Sequence, residues 1–407
     1  MWFTKPKKAI GLDVGTNSVK TVQMSRVGGR LCVDEAGFAL LDRNQVNANP
    51  IAANATAVRQ ALTSMNLNEA LLVAALPGQT AVIRYPRISD TPRDQIDAVI
   101  QREAGQNIPY DLNEVFLEWV PLDEITEGGQ KQIKILLAAA KHDVISSRIQ
   151  ILDAAEVKCG LLGVDSLALA DAAEACSMLH MGETVALVNI GMTSASIHFV
   201  KDGISNFIRD VSWGAREMIQ AIAKERRCDL DEAERLLKES VNPPADSPDS
   251  APEKEEEKQE APSSKPPSGG SPLEPLDGEF GFDNPLGEPA PRPSMSGLDA
   301  VVKRDVRDII NAPMTRLISE VRRSFDFYEH QLYERPVDRI IISGGVARLP
   351  MLGETFMEEL GVNTVEVADP AVSGIILGED VSMGVLRECP AQFMVAIGLA
   401  ARGMADL

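Results

Sequence analysis

With 407 residues, 44% hydrophobic and 4% aromatic, the chain is long enough to bury more than one core. Its formal net charge of -20 excludes a nucleic-acid backbone as partner, because binding phosphates needs clustered Lys and Arg. Five scattered cysteines without any C-x-x-C argue against a disulfide frame or a zinc site and for a reducing compartment.

The start, "MWFTKPKK", leads into a strand without a sustained apolar region, so no secretory leader is expected, and no run reaches the roughly 18 apolar residues of a membrane span. "AIGLDVG", "SVKTVQM" and "LCVDEAGFAL" predict three strands, the last two joined by a tight turn at "RVGGR". An amphipathic helix over "NATAVRQALTSMNL" follows, then a buried strand "ALLVAAL" ended by Pro77 and Gly78. Between about Thr80 and Lys158 the pattern changes to strand "TAVIRYPRI", helix "TPRDQIDAVIQREAGQ" with Thr91 and Pro92 as cap and first turn, strands "EVFLEWVPL" and "KQIKILLAAAK", and helix "HDVISSRIQILDAAEV". That block reads as a small α+β unit of its own. "TVALVNIGMTSASIHFVKDG" then repeats the opening pattern of apolar strand, polar residue, glycine, threonine and returning strand. Its polar residue, Asn189, stands 176 positions after Asp13, a spacing that predicts two related halves.

Composition breaks once. Between Val241 and Gly297 lie 13 of the 25 prolines, with 12 acidic and 4 basic residues, a mixture that cannot bury enough surface to offset its ordering entropy. This insert is expected to be disordered. Its aromatic island, "EFGFDNPLG" (Glu279 to Gly287), reads either as a short docking motif or as a chance pair of Phe in a linker.

The chemistry sits in three glycine-bearing junctions. In "DVGTNSVK", Gly15 permits close backbone approach, successive N–H groups form an anion-binding nest, and Thr16, Asn17 and Ser18 add polar side chains. Asp13 then suits magnesium held through water, and Lys20 on the returning strand suits phosphate. No G-K-[ST] opens a helix, so this is not a Walker loop; taken singly, D-x-G-T also marks ordinary hairpin turns. The second junction repeats the geometry with Asn189, Gly191, Thr193 and Ser194. The third, in "RIIISGGVARLPML", puts Gly344 and Gly345 where a strand turns toward a helix, which suits either a ring or ribose lying on bare backbone or a simple packing turn. Between them, Glu234 and Lys238 fall at i and i+4 of a predicted helix, the spacing of a solvent-exposed ion pair.

The three junctions in this order resemble those of the actin-like ATPase superfamily, in whose bacterial members an "AE..K" helix, matched here by Ala233, Glu234 and Lys238, contacts the adenosine. The passages "KKAIGLDVGTNSVKTVQ", "REAGQNIPYDLNEVFLEW", "LLAAAKHDVISSRIQILDAAEVKCGLLGVDSLALADA", "EVRRSFDFYEHQ" and "VDRIIISGGVARLPML" are similar to the type IV pilus PilM family, in the FtsA/PilM branch. The resemblance implies an α/β, two-lobed actin-like ATPase fold of the duplicated ribonuclease H-like kind, with an extra α+β subdomain at 80–158. On that plan lobe 1 takes 1–79 and 159–183, lobe 2 takes 184–218 and 336–407, a further subdomain takes 219–240 and 298–335, and the insert takes 241–297. It also implies ATP and Mg2+ as cofactors. The implied partners are the N-terminal cytoplasmic segment of a PilN-like inner-membrane protein, the pilus platform and its motor ATPases, with the chain peripheral at the inner membrane.

Two features depart from the pattern. Asn189 stands where Asp is common in the superfamily and brings no negative charge, so weak hydrolysis or none is expected. The acidic, proline-rich insert is the other. Asp165 reads as a helix cap rather than a general base, and the four histidines as surface or packing residues. A sugar or metabolite kinase of the same superfamily, marked by phosphoryl transfer, and an FtsA-like filament former, marked by ATP-dependent polymers, remain as alternatives.

Overall fold

The computed structural model describes residues 7–92, 94–127, 129–241, 304–372, 374–378 and 383–405. All of these but Arg304 belong to one unit, Met1–Asn242 with Asp305–Leu407. Residues 242–303, which hold the proline-rich insert after Val241 and its "EFGFDNPLG", lie outside the described residues.

The chain opens with strands β1 (Lys8–Val14), β2 (Ser18–Val27) and β3 (Arg30–Leu40), helices α1 (Arg43–Ala48) and α2 (Pro50–Ala61), and β4 (Ala70–Leu76). Next come β5 (Ala81–Arg84), β6 (Arg87–Ser89), α3 (Ile96–Asn107), β7 (Val115–Glu127), β8 (Gln130–Lys141), α4 (His142–Ala154), β9 (Leu161–Val164) and α5 (Asp165–Ala175). The second half runs β10 (Thr184–Ile190), β11 (Ala195–Lys201), β12 (Ile204–Val211), α6 (Ala215–Arg226), α7 (Leu230–Val241) and α8 (Val306–Asp326). It continues through β13 (Arg339–Gly344), α9 (Pro350–Leu360), β14 (Thr364–Val367), β15 (Ile376–Leu377), α10 (Gly384–Glu388) and α11 (Met394–Ala405).

Lobe 1 is a sheet of order β15-β3-β2-β1-β4-β9, lobe 2 one of order β12-β11-β10-β13-β14. In each, the first strand of the half pairs antiparallel with the second and parallel with the fourth, so five strands repeat one topology. This is the duplicated, two-lobed fold expected from the sequence. The central strands are buried on both faces, which explains why "AIGL" and "VALV" read as apolar runs rather than alternating ones. At "RVGGR", Gly28 and Gly29 take φ of 60° and 83°, the double left-handed conformation of a tight hairpin.

Between β4 and α4 the chain builds a separate sheet in which β8 pairs with β5 and β6 on one side and with β7 on the other. Ile88, Ile135 and Leu137 pack there on Ile100 and Ala104 of α3. Several local expectations shift. Pro86 interrupts "TAVIRYPRI", splitting it into β5 and β6. Thr91 and Pro92 do not cap α3: the helix begins at Ile96, and the Thr91 hydroxyl donates to Ser89 O at 2.6 Å. Helix α4 carries Leu152 into the lobe 1 core with Ile10 and Val58, so by packing the inserted unit ends near Lys141, not Lys158.

The C-terminal segment also departs from the 336–407 grouping. β15 pairs with β3, and α11 lies on β1 and β2, where Ala396 and Leu399 join Ala9, Val22, α5 and the inner face of β10 in one core layer. Gly11 makes this possible: a Cβ there would sit 1.9 Å from Ala396 O. A buried polar chain ties the inserted unit to lobe 2 and α5. His198 Nδ1 donates to Ser166 O at 3.0 Å, which leaves Nε2 to accept from Ser205 Oγ at 2.7 Å, and that hydroxyl in turn accepts from Tyr85 at 2.7 Å. Burial lowers the His198 pKa to about 4, so the ring stays neutral near pH 7.

Candidate functional site

The two first-to-second-strand hairpins point at each other. Gly15 N–H donates to Ser18 O at 3.1 Å and Gly191 N–H to Ser194 O at 2.9 Å, so both tips close the same way. Across the gap the Thr16 and Thr193 hydroxyls lie 3.4 Å apart. Beneath them opens a cleft of about 380 Å³, lined by every residue the three glycine junctions singled out, by Glu234 and Lys238, and by Asp165.

Asp13 sits at the end of β1, directly opposite Lys20 on β2, and the two are ion-paired at 3.2 Å. Asn189 takes the matching place in lobe 2, where its Oδ1 accepts from Ser343 at 3.1 Å. Ser196, opposite Asn189 as Lys20 is opposite Asp13, donates to Asp210 of β12. At the third junction Gly344 has φ of 99°, and a Cβ there would meet Ile190 O at 2.2 Å; nothing lies within 4 Å of where a side chain on Gly345 would start. Bare backbone therefore faces the cleft at that point.

The deep end of the cleft holds a carboxyl that the sequence read as a helix cap. Asp165, the first residue of α5, accepts from Gly78 N at 2.6 Å and also lines the cleft. Burial, then the nearby Asp210 and Asp13, push its pKa up to about 7 against the pull of backbone N–H groups. Burial likewise raises Asp210. Below the first hairpin, Arg148 of α4 is buried and donates from both terminal nitrogens to Val14 O at 3.4 Å. Burial lowers its pKa, with Asp13 and Asp165 opposing.

At the other end, Glu234 does pair with Lys238, at 2.8 Å, as its spacing predicts. The same carboxylate, only 13% exposed, also reaches lobe 1: it accepts from Asn17 Nδ2 at 3.3 Å and from Arg43, which in turn pairs with Asp231 at 2.7 Å. Burial alone would raise the Glu234 pKa; Lys238, Arg43 and Asn17 outweigh it and hold the carboxylate below its usual range. Phe38, Ile219, Leu237, Val346, Val385 and Val395 also line the cleft with apolar side chains. Arg43, Arg148 and Asp210 were not singled out from the sequence. The signal available for Arg43 was the N-cap Asp42 just before it, which starts the short helix α1.

The family description Type IV pilus assembly protein PilM matches residues 11–248 and 304–404. The chain belongs to this family. Among solved structures the chain is similar to a "PilM-PilN type IV pilus biogenesis complex" at 20% identity and TM-score 0.72, covering 98% of this chain and 99% of that one. That likeness shows the two-lobed fold of the described residues. Weaker likenesses link it to ethanolamine utilization protein EutJ from Carboxydothermus hydrogenoformans, at 11% identity and TM-score 0.46 over 98% of this chain and 90% of that one. MreB 5 of Spiroplasma citri gives 10% identity and TM-score 0.43 over 96% and 94%. Among the described residues no helix is long and apolar enough to cross a membrane.

Proposed function

We propose that this member of the family is a nucleotide-binding scaffold of the type IV pilus assembly platform. One observation carries the nucleotide reading: two hairpin tips of matching geometry converge, 3.4 Å apart at their hydroxyls, over a single cleft. The residues fit a magnesium nucleotide. Tip N–H groups and the Thr16, Ser18, Thr193 and Ser194 hydroxyls suit a phosphate chain. Lys20 would turn from Asp13 to phosphate, freeing Asp13 for the cation. Among the described residues no group of three His, Cys, Asp or Glu side chains is placed to hold a metal, so magnesium at Asp13 would draw its other ligands from phosphate and water. The apolar side chains of the cleft and the bare backbone at Gly345 suit the base and ribose of ATP. When bound, the magnesium would neutralise phosphate charge; Asn189 adds no second negative charge to hold it.

Within the platform, the scaffold takes up the cytoplasmic N-terminal segment of a PilN-like inner-membrane protein and is peripheral at that membrane through it, with motor ATPases as further contacts. Nucleotide occupancy sets this docking, and turnover is slow. Isothermal calorimetry with MgATP, on wild type and on Asp13→Ala, tests the site: wild type binds and the variant loses at least about tenfold in affinity, or 1.4 kcal/mol. Equal affinities would remove Asp13 from the site. A pull-down with the membrane partner's N-terminal peptide tests the scaffold role, and no capture with or without MgATP would overturn it.

A further inference from the structure

A concavity of about 500 Å³ opens on lobe 2 between the end of β12 and the middle of α8. Arg209, Trp213, Arg316 and Arg323 line it, with Glu320 and the part-buried Asp210 among them. Three guanidiniums in one pocket are unexpected in a chain with 60 acidic and 40 basic residues. Helix geometry brings Arg316, Glu320 and Arg323 to one face of α8, and Arg209 joins them from β12.

The arginines outnumber the carboxylates that hold them. Glu320 is shared between Arg323 at 2.6 Å and Arg209 at 3.3 Å, while Arg316 is turned to Glu217 at 2.8 Å. Each guanidinium carries five N–H donors and is tied to these carboxylates through one nitrogen. Trp213 borders the pocket from the protein interior. It is 3% exposed, its ring belongs to the lobe 2 core, and its indole N–H, a donor only, has no acceptor.

We propose that this pocket binds an acidic, extended segment of a partner protein. Two of its carboxylates seat on Arg316 and Arg323. Seven helical residues separate the two arginine Cα atoms by about 10 Å along the axis. Carboxylates two to four residues apart on an extended chain bracket that spacing, at about 7 to 13 Å. A peptide fits better than a lone phosphate because the two guanidiniums are turned to different carboxylates and do not converge on one point. Recognition by bidentate arginine–carboxylate pairs is strong and sensitive to salt. The proposal is independent of the nucleotide reading.

Fluorescence anisotropy of the full chain with a fluorescein-labelled hexaglutamate peptide tests it, with hexaglutamine as the neutral control. Wild type binds hexaglutamate and not hexaglutamine, and the affinity falls as salt rises. The double variant Arg316→Glu/Arg323→Glu, altered at two exposed side chains, loses at least about tenfold with its melting temperature kept. Equal binding by wild type and the double variant would overturn the proposal. So would displacement of the peptide by inorganic phosphate at equal concentration, or preferred binding to phosphatidylglycerol vesicles.

Discussion

Asp13 and Asn189 occupy equivalent backbone positions yet differ by a full charge, and the surroundings of each have adjusted to it. Asp13 faces a lysine, whereas Asn189 faces a serine that hands its hydrogen bond to Asp210. Substituting Asn189→Asp is expected to tighten magnesium by roughly threefold or more and to raise any basal ATPase rate, as followed by calorimetry and phosphate release. A rate that stays level or falls would place the block elsewhere. Asp165 allows a pH prediction. Its carboxyl is raised to about 7 in the folded chain from the ordinary carboxylate value of 3.8, so between those values the folded state holds more protons than the unfolded one. Stability from this group is therefore highest in acid and declines as pH rises toward 7. Asp165→Asn should remove the decline and melt above wild type at pH 8, with little difference at pH 4, as scanning calorimetry would record. Asp13 and Asn189 were legible because glycine and hydroxyl residues flank each of them. Asp165 was legible only as a cap, since its shift arises from burial and from Asp210 and Asp13, which only the folded chain brings together.

At the scale of elements, close backbone approach between α11 and β1 decides how the lobes are joined. Gly11→Ala would drive a methyl into Ala396 O and is expected to cost at least about 2 kcal/mol in urea unfolding. Gly105→Ala, inside α3 with nothing within 4 Å of the added carbon, should instead stabilise by up to about 1 kcal/mol. Equal effects of the two would mean that α11 does not pack as described. Most strands could be read directly, because alternation and apolar runs report burial faithfully. Helix α1 could not: it is six residues long with none buried, and so leaves no periodic trace. The lobe to which α11 belongs was equally illegible. Nine of its twelve residues are buried, so its pattern announces burial without naming a partner.

Over the whole molecule, the duplication was visible as two like motifs at domain spacing, whereas the contacts closing the cleft were not. Thr16 with Thr193, Asn17 with Glu234, and Arg43 with Asp231 and Glu234 all run between lobes, and each partner lies far along the chain. A phosphate chain bridging the two tips has to part the threonine contact. Cysteines at Thr16 and Thr193 should accordingly form a disulfide under mild oxidation, and MgATP should slow its formation several-fold, as read on non-reducing gels. An identical rate with and without nucleotide would mean that the tips do not separate to admit it. The crossing of α11 has a further consequence for how the protein is made. Synthesis delivers β1 some 380 residues before the helix that covers it. Until then Ala9, Val22 and Met24 lack the helix that covers their apolar sheet face, so a fragment lacking 394–405 should aggregate through its N-terminal lobe.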